Sequence, residues 1–157
     1  SHYGTDAPAI HERSLVPYIG PCRVIRVRAR ARQRIEMTDL AGPIDAPRVI
    51  IATGSYPDPE RWTDDFAALA PALVDELHAR GVVLIGVDTP SVDLADSKDL
   101  PAHQRFLLHD MAILEGLVLE DVPEGKYELI ALPLPLEGFD ASPVRAVLRP
   151  LQSPGAP

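Results

Sequence analysis

Two short, uninterrupted apolar runs constrain this chain more than any other feature. "APRVIIAT" at residues 46–53 is a β-branched run, and "GVVLIGVDTPSVD" at 81–93 is nearly all apolar until it reaches Asp88-Thr89-Pro90. Successive side chains of a strand point to opposite faces, so a strand without alternation is apolar on both and must be covered on both. Both runs therefore read as buried strands, the second ending on polar loop residues.

The other segments supply the cover. From Ile25 onward, Ile25, Val27, Ala29 and Ala31 alternate with Arg26, Arg28, Arg30 and Arg32, the pattern of a half-buried strand with a solvated arginine face. Residues 56–81 carry the strongest helix signal. Phe66, Leu69, Ala70, Leu73, Val74 and Leu77 fall on one stripe, with Thr63 or Asp64 as cap and Gly81 just past the end. Pro71 inside that stripe predicts a kink or a restart. A second helix is expected over "LPAHQRFLLHD", with Pro101 in its first turn. "AILEGLVLEDV", "YELIALPLPL" and "PVRAVLRPL" read as further strands. Strands outnumber helices without a regular alternation, so the expected class is α/β, a single domain of mixed β-sheets with flanking helices. It is expected to span residues 1–157, with 150–157 as a Pro- and Gly-rich tail.

Composition narrows the function classes. With 15 Lys and Arg against 23 Asp and Glu, the net charge of −8 argues against a nucleic-acid partner. No apolar run approaches the roughly 18–20 residues that cross a bilayer, so no membrane association is expected. No secretion signal is legible, and the single Cys22 suits a reducing compartment, so the expected location is cytoplasmic. Cys22 itself reads as a small buried residue rather than a nucleophile.

Two stretches carry polar groups that packing does not require. "SHYGTDAPAIHERS" gathers His2, Asp6 and His11 around Gly4-Thr5 and Ala7-Pro8. Further on, His103 is followed by Glu115 inside an apolar run, where a buried carboxylate needs a cation. Imidazole and carboxylate donors together suit zinc, manganese or a similar divalent ion, and a carboxylate can bridge two of them. His2, Asp6, His103 and Glu115 are therefore candidate metal ligands. The alternative is a capped loop and an arginine-paired glutamate. His109 reads as a packing or capping residue, Trp62 as an anchor or an aromatic platform, and Asp140 with Arg145 as a pair near the site or a structural salt bridge.

"YIGPCRVIRV", "LIGVDTPSVD", "HDMAILEGLVLEDVPEGKYELIALPL" and "FDASPVRAVLR", in that order from about Tyr18 to Arg149, resemble the bacterial kynurenine formamidases of the cyclase-like, metal-dependent amidohydrolase family. The resemblance implies a swivelling β/β/α fold and a homodimer. Its substrate would be a small molecule, N-formyl-L-kynurenine, cleaved to L-kynurenine and formate in tryptophan breakdown. The family's motif His-x-Gly-Thr-His-x-Asp-x-Pro-x-His binds metal through its first two histidines and its aspartate, and its last histidine shuttles a proton. "HYGTDAP" is similar to this motif through His2, Gly4, Thr5, Asp6 and Pro8, with two residues fewer between Thr5 and Asp6 and without the second histidine. By this resemblance His11 takes the shuttle's role, although it stands five residues after Asp6 where the motif has four. His103 and Glu115, twelve residues apart, match the family's later ligand pair, and Thr5 and Asp88 are expected to orient ligands. The implied cofactor is one or two divalent ions per chain, zinc with manganese or cobalt as alternatives. The segment that precedes the family's motif is expected to belong to a longer chain. A cyclic amide or imide hydrolase of the isatin type, and a metal-poor homologue without catalysis, stay open as alternatives.

Overall fold

The apolar runs form the middle of a six-stranded sheet in the computed structural model, which describes residues 8–151. In chain order the strands are β1 (Ile19–Arg26), β2 (Arg34–Ile35), β3 (Arg48–Ala52), β4 (Ala68–Leu69), β5 (Leu84–Val87), β6 (Ala112–Leu114), β7 (Gly125–Ile130) and β8 (Val147–Pro150). Two helices, α1 (Pro71–Ala79) and α2 (Pro101–Leu108), join them. The main sheet runs β6-β5-β3-β1-β7-β8, and β2 pairs with β4 in a separate two-stranded sheet. β1, β3, β5 and β6 pair in parallel, whereas β7 runs antiparallel to both β1 and β8. This is the expected mixed α/β arrangement.

Every residue of β3 and β5 is buried, and their side chains divide between two cores by parity. Val49, Ile51, Ile85 and Val87 join Leu73, Leu77, Ala102 and Phe106 of the helices on one face. Ile50, Ala52, Leu84 and Leu114 join Cys22, Leu119 and Leu129 on the other. The thiol of Cys22 is enclosed there, and burial pushes its pKa up to about 12, so it is a protonated packing residue. Buried Arg48, at the start of β3, donates to the carbonyls of Val16, Pro17 and Pro21 and so pins the entry to β1.

Three elements depart from the sequence reading. The stripe through residues 66–77 is buried as expected, but it is not one helix. Ala70 is extended (φ −70°, ψ 138°) and Pro71 is the first helical residue, so Ala68–Leu69 pair with Arg34–Ile35 instead. Proline disfavours a helical residue before it and offers no N–H to the preceding turn. β1 stops at Arg26 rather than continuing to Ala31. The Arg26 guanidinium donates to the carbonyls of Leu119, Glu120 and Val122, and its amide donates to Glu124, where the β7 partner begins. β1 is also buried on both faces at Val24 and Ile25, because it lies inside the sheet rather than over solvent. β6 ends at Leu114, and Gly116 (φ +66°) turns the chain so that Glu115 stands just beyond the strand.

The helices are joined by charge as well as by packing. Asp75 accepts from Arg105 Nε at 2.8 Å and Nη2 at 2.6 Å, and from His109 Nε2 at 2.7 Å. The His109 ring stacks on His78 with centroids 4.1 Å apart. Arg105 above all, aided by His109, holds the Asp75 carboxyl below its ordinary range despite partial burial. A depressed carboxyl contributes stability that is present above its unfolded-state pKa and lost as pH falls through and below it. Between about pH 5 and pH 3, urea unfolding is expected to show a larger loss for the parent chain than for Asp75→Asn. Parallel losses would remove Asp75 from the acid response. Among the described residues, no helix is long and apolar enough to cross a membrane.

Candidate active site

The polar residues that follow the parallel strands gather at one edge of the sheet. Thr53 follows β3, Asp88 follows β5 and Glu115 follows β6, the carboxyl-end position at which open α/β sheets bind ligands. α2 adds His103 from its first turn, buried to 6% exposure. Its Nε2 lies 3.5 Å from Glu115 Oε1. Glu115 also accepts the Val92 amide at 2.9 Å, and its side chain is 33% exposed. The turn at Gly116 puts this carboxylate, partly exposed, on the wall of a cavity.

Asp93 fixes the imidazole. Its side chain is fully buried, and its Oδ2 takes the His103 Nδ1 hydrogen at 2.9 Å and the His103 amide at 3.0 Å. The Ala102 amide donates to the same carboxylate at 3.1 Å, and Arg34 Nη1 adds a longer contact of 3.3 Å. Leu100, the residue before the helix, is left-handed (φ 44°) and gives no side-chain cap, so Asp93 satisfies the orphan amides of α2 from outside the helix. Burial raises its pKa, and these hydrogen bonds outweigh that, holding the carboxyl below its ordinary value. Burial also pulls His103 down, but the hydrogen bonds to Asp93 and Glu115 lift it to about 9. A positive charge at Nε2 is what these two carboxylates favour.

That arrangement fits a divalent ion. A carboxylate-held Nδ1–H directs the other ring nitrogen outward as a donor, the usual second contact of a metal-binding histidine. Nε2 and the Glu115 carboxylate then lie side by side as nitrogen and oxygen donors. Among the described residues no group of three or more His, Cys, Asp or Glu is placed to hold a metal. His103 and Glu115 are two such donors, fewer than an ion's full set. His2, Thr5 and Asp6, the other residues expected there, lie outside the described residues. The first described residue, Pro8, lines the same cavity as His103 and Glu115.

The remaining candidates make other contacts. His11 sits on a short 3-10 turn (Ile10–Glu12) whose Ile10 amide is bound to the Phe139 carbonyl at 2.8 Å. Its ring is exposed, accepts the Gly138 amide at 3.4 Å, and is not among the cavity-lining residues. The oxygens of Asp88 accept from the Thr53 amide (3.0 Å), the Thr53 hydroxyl (2.6 Å) and the Gly54 amide (2.8 Å), so Asp88 braces the loop after β3. Asp93, which the sequence reading passed over, is the residue that orients His103. Trp62 is 66% exposed and packs edge-on against Phe66, and His109 belongs to the Asp75 cluster.

The cavity has a volume of about 340 Å³, within the range of small-molecule sites. His103 and Glu115 line it together with Arg13, Tyr18, Asp110 and Asp140. Arg13 Nη1 donates to Asp110 Oδ1 at 2.6 Å. Burial pulls the Arg13 guanidinium down, but its contacts with Asp110 and Tyr18 outweigh this and leave it above its ordinary value. Burial raises the Tyr18 phenol, which stays protonated.

Residues 1–94 match the family model described as "Putative cyclase". The chain is 51% identical over 152 residues to a kynurenine formamidase of Bordetella petrii, covering 96% of this chain and 72% of that protein. A kynurenine formamidase of Sphingopyxis alaskensis is 50% identical over 150 residues, covering 94% and 71%. Among solved structures, a potential metal-dependent hydrolase with cyclase activity superposes with a TM-score of 0.81 at 27% identity, covering 94% of this chain and 73% of that one.

Proposed function

This chain belongs to the cyclase family, alongside its kynurenine formamidases, and we propose that it hydrolyses N-formyl-L-kynurenine to L-kynurenine and formate at a divalent metal centre that uses His103 and Glu115. The observation that carries the metal reading is the locked imidazole: Asp93 holds Nδ1, and Nε2 faces Glu115 at the cavity wall. Imidazole and carboxylate donors suit zinc, and manganese or cobalt takes the same set. The ion supplies Lewis acidity, which makes water nucleophilic near neutral pH and polarises a carbonyl.

The protein's own contribution is orientation and proton transfer. Asp93 fixes the tautomer and tilt of His103, and the Val92 amide fixes Glu115. The amine leaving group needs a proton at its nitrogen. His11 faces Gly138, and His78 and His109 stack on each other beside Asp75, so none of these three is at the cavity. We infer that His2 and Asp6, in the stretch before Pro8, are further ligands to the ion, as the family's motif implies. His2→Ala that keeps its metal and loses activity fits a proton carrier, whereas loss of both makes His2 a ligand.

The reading includes a homodimer. Ile19 of β1 and Val147 of β8 flank Ile130 in register and are 42% and 48% exposed, which gives the outer sheet an apolar row for a second copy. Formate release from N-formyl-L-kynurenine, measured beside isatin ring opening in zinc-supplemented protein, tests the function. Turnover of the formamide and little of isatin is expected, and the reverse preference would favour the cyclic-amide alternative.

A further inference from the structure

The cavity has a second chemical end that hydrolysis of a formyl group does not require. Arg13, Tyr18, Asp110 and Asp140 line it with His103 and Glu115. The Arg13 side chain is only 21% exposed and is held at 2.6 Å by Asp110. Asp110 stands just past α2 in the left-handed region (φ +52°), where the chain reverses into β6. Drawing a guanidinium into a cavity wall costs solvation that an apolar residue there would not incur, while its Asp110 partner stays 78% exposed. A guanidinium carries five donors in a planar fork, and the contact with Asp110 is made through one nitrogen.

The substrate of the proposed reaction has the complementary form. Its formamide sits on the aromatic ring, and the ortho side chain ends, away from the reacting bond, in an α-carboxylate and an α-ammonium group. A guanidinium fork matches the carboxylate, and nearby acids match the ammonium. We propose that Arg13, positioned by Asp110, binds the α-carboxylate of the substrate's amino-acid end and so determines specificity. The proposal rests on the formamidase reading above. It assigns Arg13 a binding contact remote from the chemistry, whose energy is used to place the amide at the reactive end.

The test compares two compounds with the same formyl amide and ortho ketone: N-formyl-L-kynurenine and 2-formamidoacetophenone, which lacks the amino acid. In metal-loaded protein, Arg13→Met is expected to lower kcat/KM for the first roughly 10- to 100-fold, mainly through KM, and to leave the second unchanged. If Arg13→Met melts early, Arg13→Lys carries the test, because it keeps the charge without the fork. It is expected to fall on N-formyl-L-kynurenine alone, by a smaller factor. Equal losses on both compounds, or no loss on either, would overturn the assignment while leaving the formamidase reading in place. Parent protein that hydrolyses neither compound would overturn both.

Discussion

Glu115→Ala is expected to reduce formate release from N-formyl-L-kynurenine by roughly 10³-fold or more, because several kcal/mol of charge stabilisation depend on the ion it helps to hold. The fold should survive. Glu115 lies beyond the end of β6 with a 33% exposed side chain, and its contacts are the Val92 amide at 2.9 Å and His103 Nε2 at 3.5 Å rather than a core network. The expected signature is therefore lost turnover and lost metal with an almost unchanged melting temperature. Glu115→Gln separates charge from shape, since it keeps an acceptor for Val92 and gives up the anionic donor. Activity near the parent level in either variant would remove Glu115 from the chemistry and return it to a loop-capping role.

Asp93→Asn is expected to act on stability and activity together. The carboxylate receives the Ala102 and His103 amides and the His103 Nδ1 hydrogen inside the protein, and an amide nitrogen in place of one oxygen would face those donors. Removing one partner from such a buried network costs about 2–4 kcal/mol, a fall of roughly 5–15 °C in Tm for a chain of this size. At a temperature where the variant is still folded, metal affinity or kcat should fall a further 10- to 100-fold or so, because the imidazole loses its fixed tautomer. Differential scanning fluorimetry with and without zinc reads both effects. A variant destabilised yet fully active with a full complement of metal would make Asp93 a helix cap alone.

The sequence made some of this site legible. The unbroken apolar runs required strands covered on both faces, and β3 and β5 divide their side chains between two cores as that demands. The twelve-residue interval from His103 to Glu115 spans the rest of α2, the turn at Asp110 and β6, and it returns the chain to the same end of the sheet. Asp93 was not legible, because it caps α2 from nine residues ahead of Ala102, beyond the spacing of any local capping motif. The stripe from Phe66 to Leu77 marks buried residues, and the restart expected at Pro71 is where α1 begins, but the residues before it form β4 rather than a first helical segment, since apolar spacing records burial while Pro71 decides where a helix can start. The resemblance gives His11 the shuttle's role against a one-residue mismatch in spacing. The orientation of His11 depends on the Ile10–Phe139 and Gly138 contacts, which join segments more than a hundred residues apart.

The central claim is that an imidazole from α2 and a carboxylate from the end of β6 share a divalent ion. Elemental analysis of zinc-supplemented, dialysed protein tests it most directly, with the parent set beside a His103→Ala/Glu115→Ala double variant of verified fold. At least about one equivalent of ion per parent chain is expected, with most of it gone from the double variant. Equal metal in both proteins, or none in a parent that still releases formate, would contradict it.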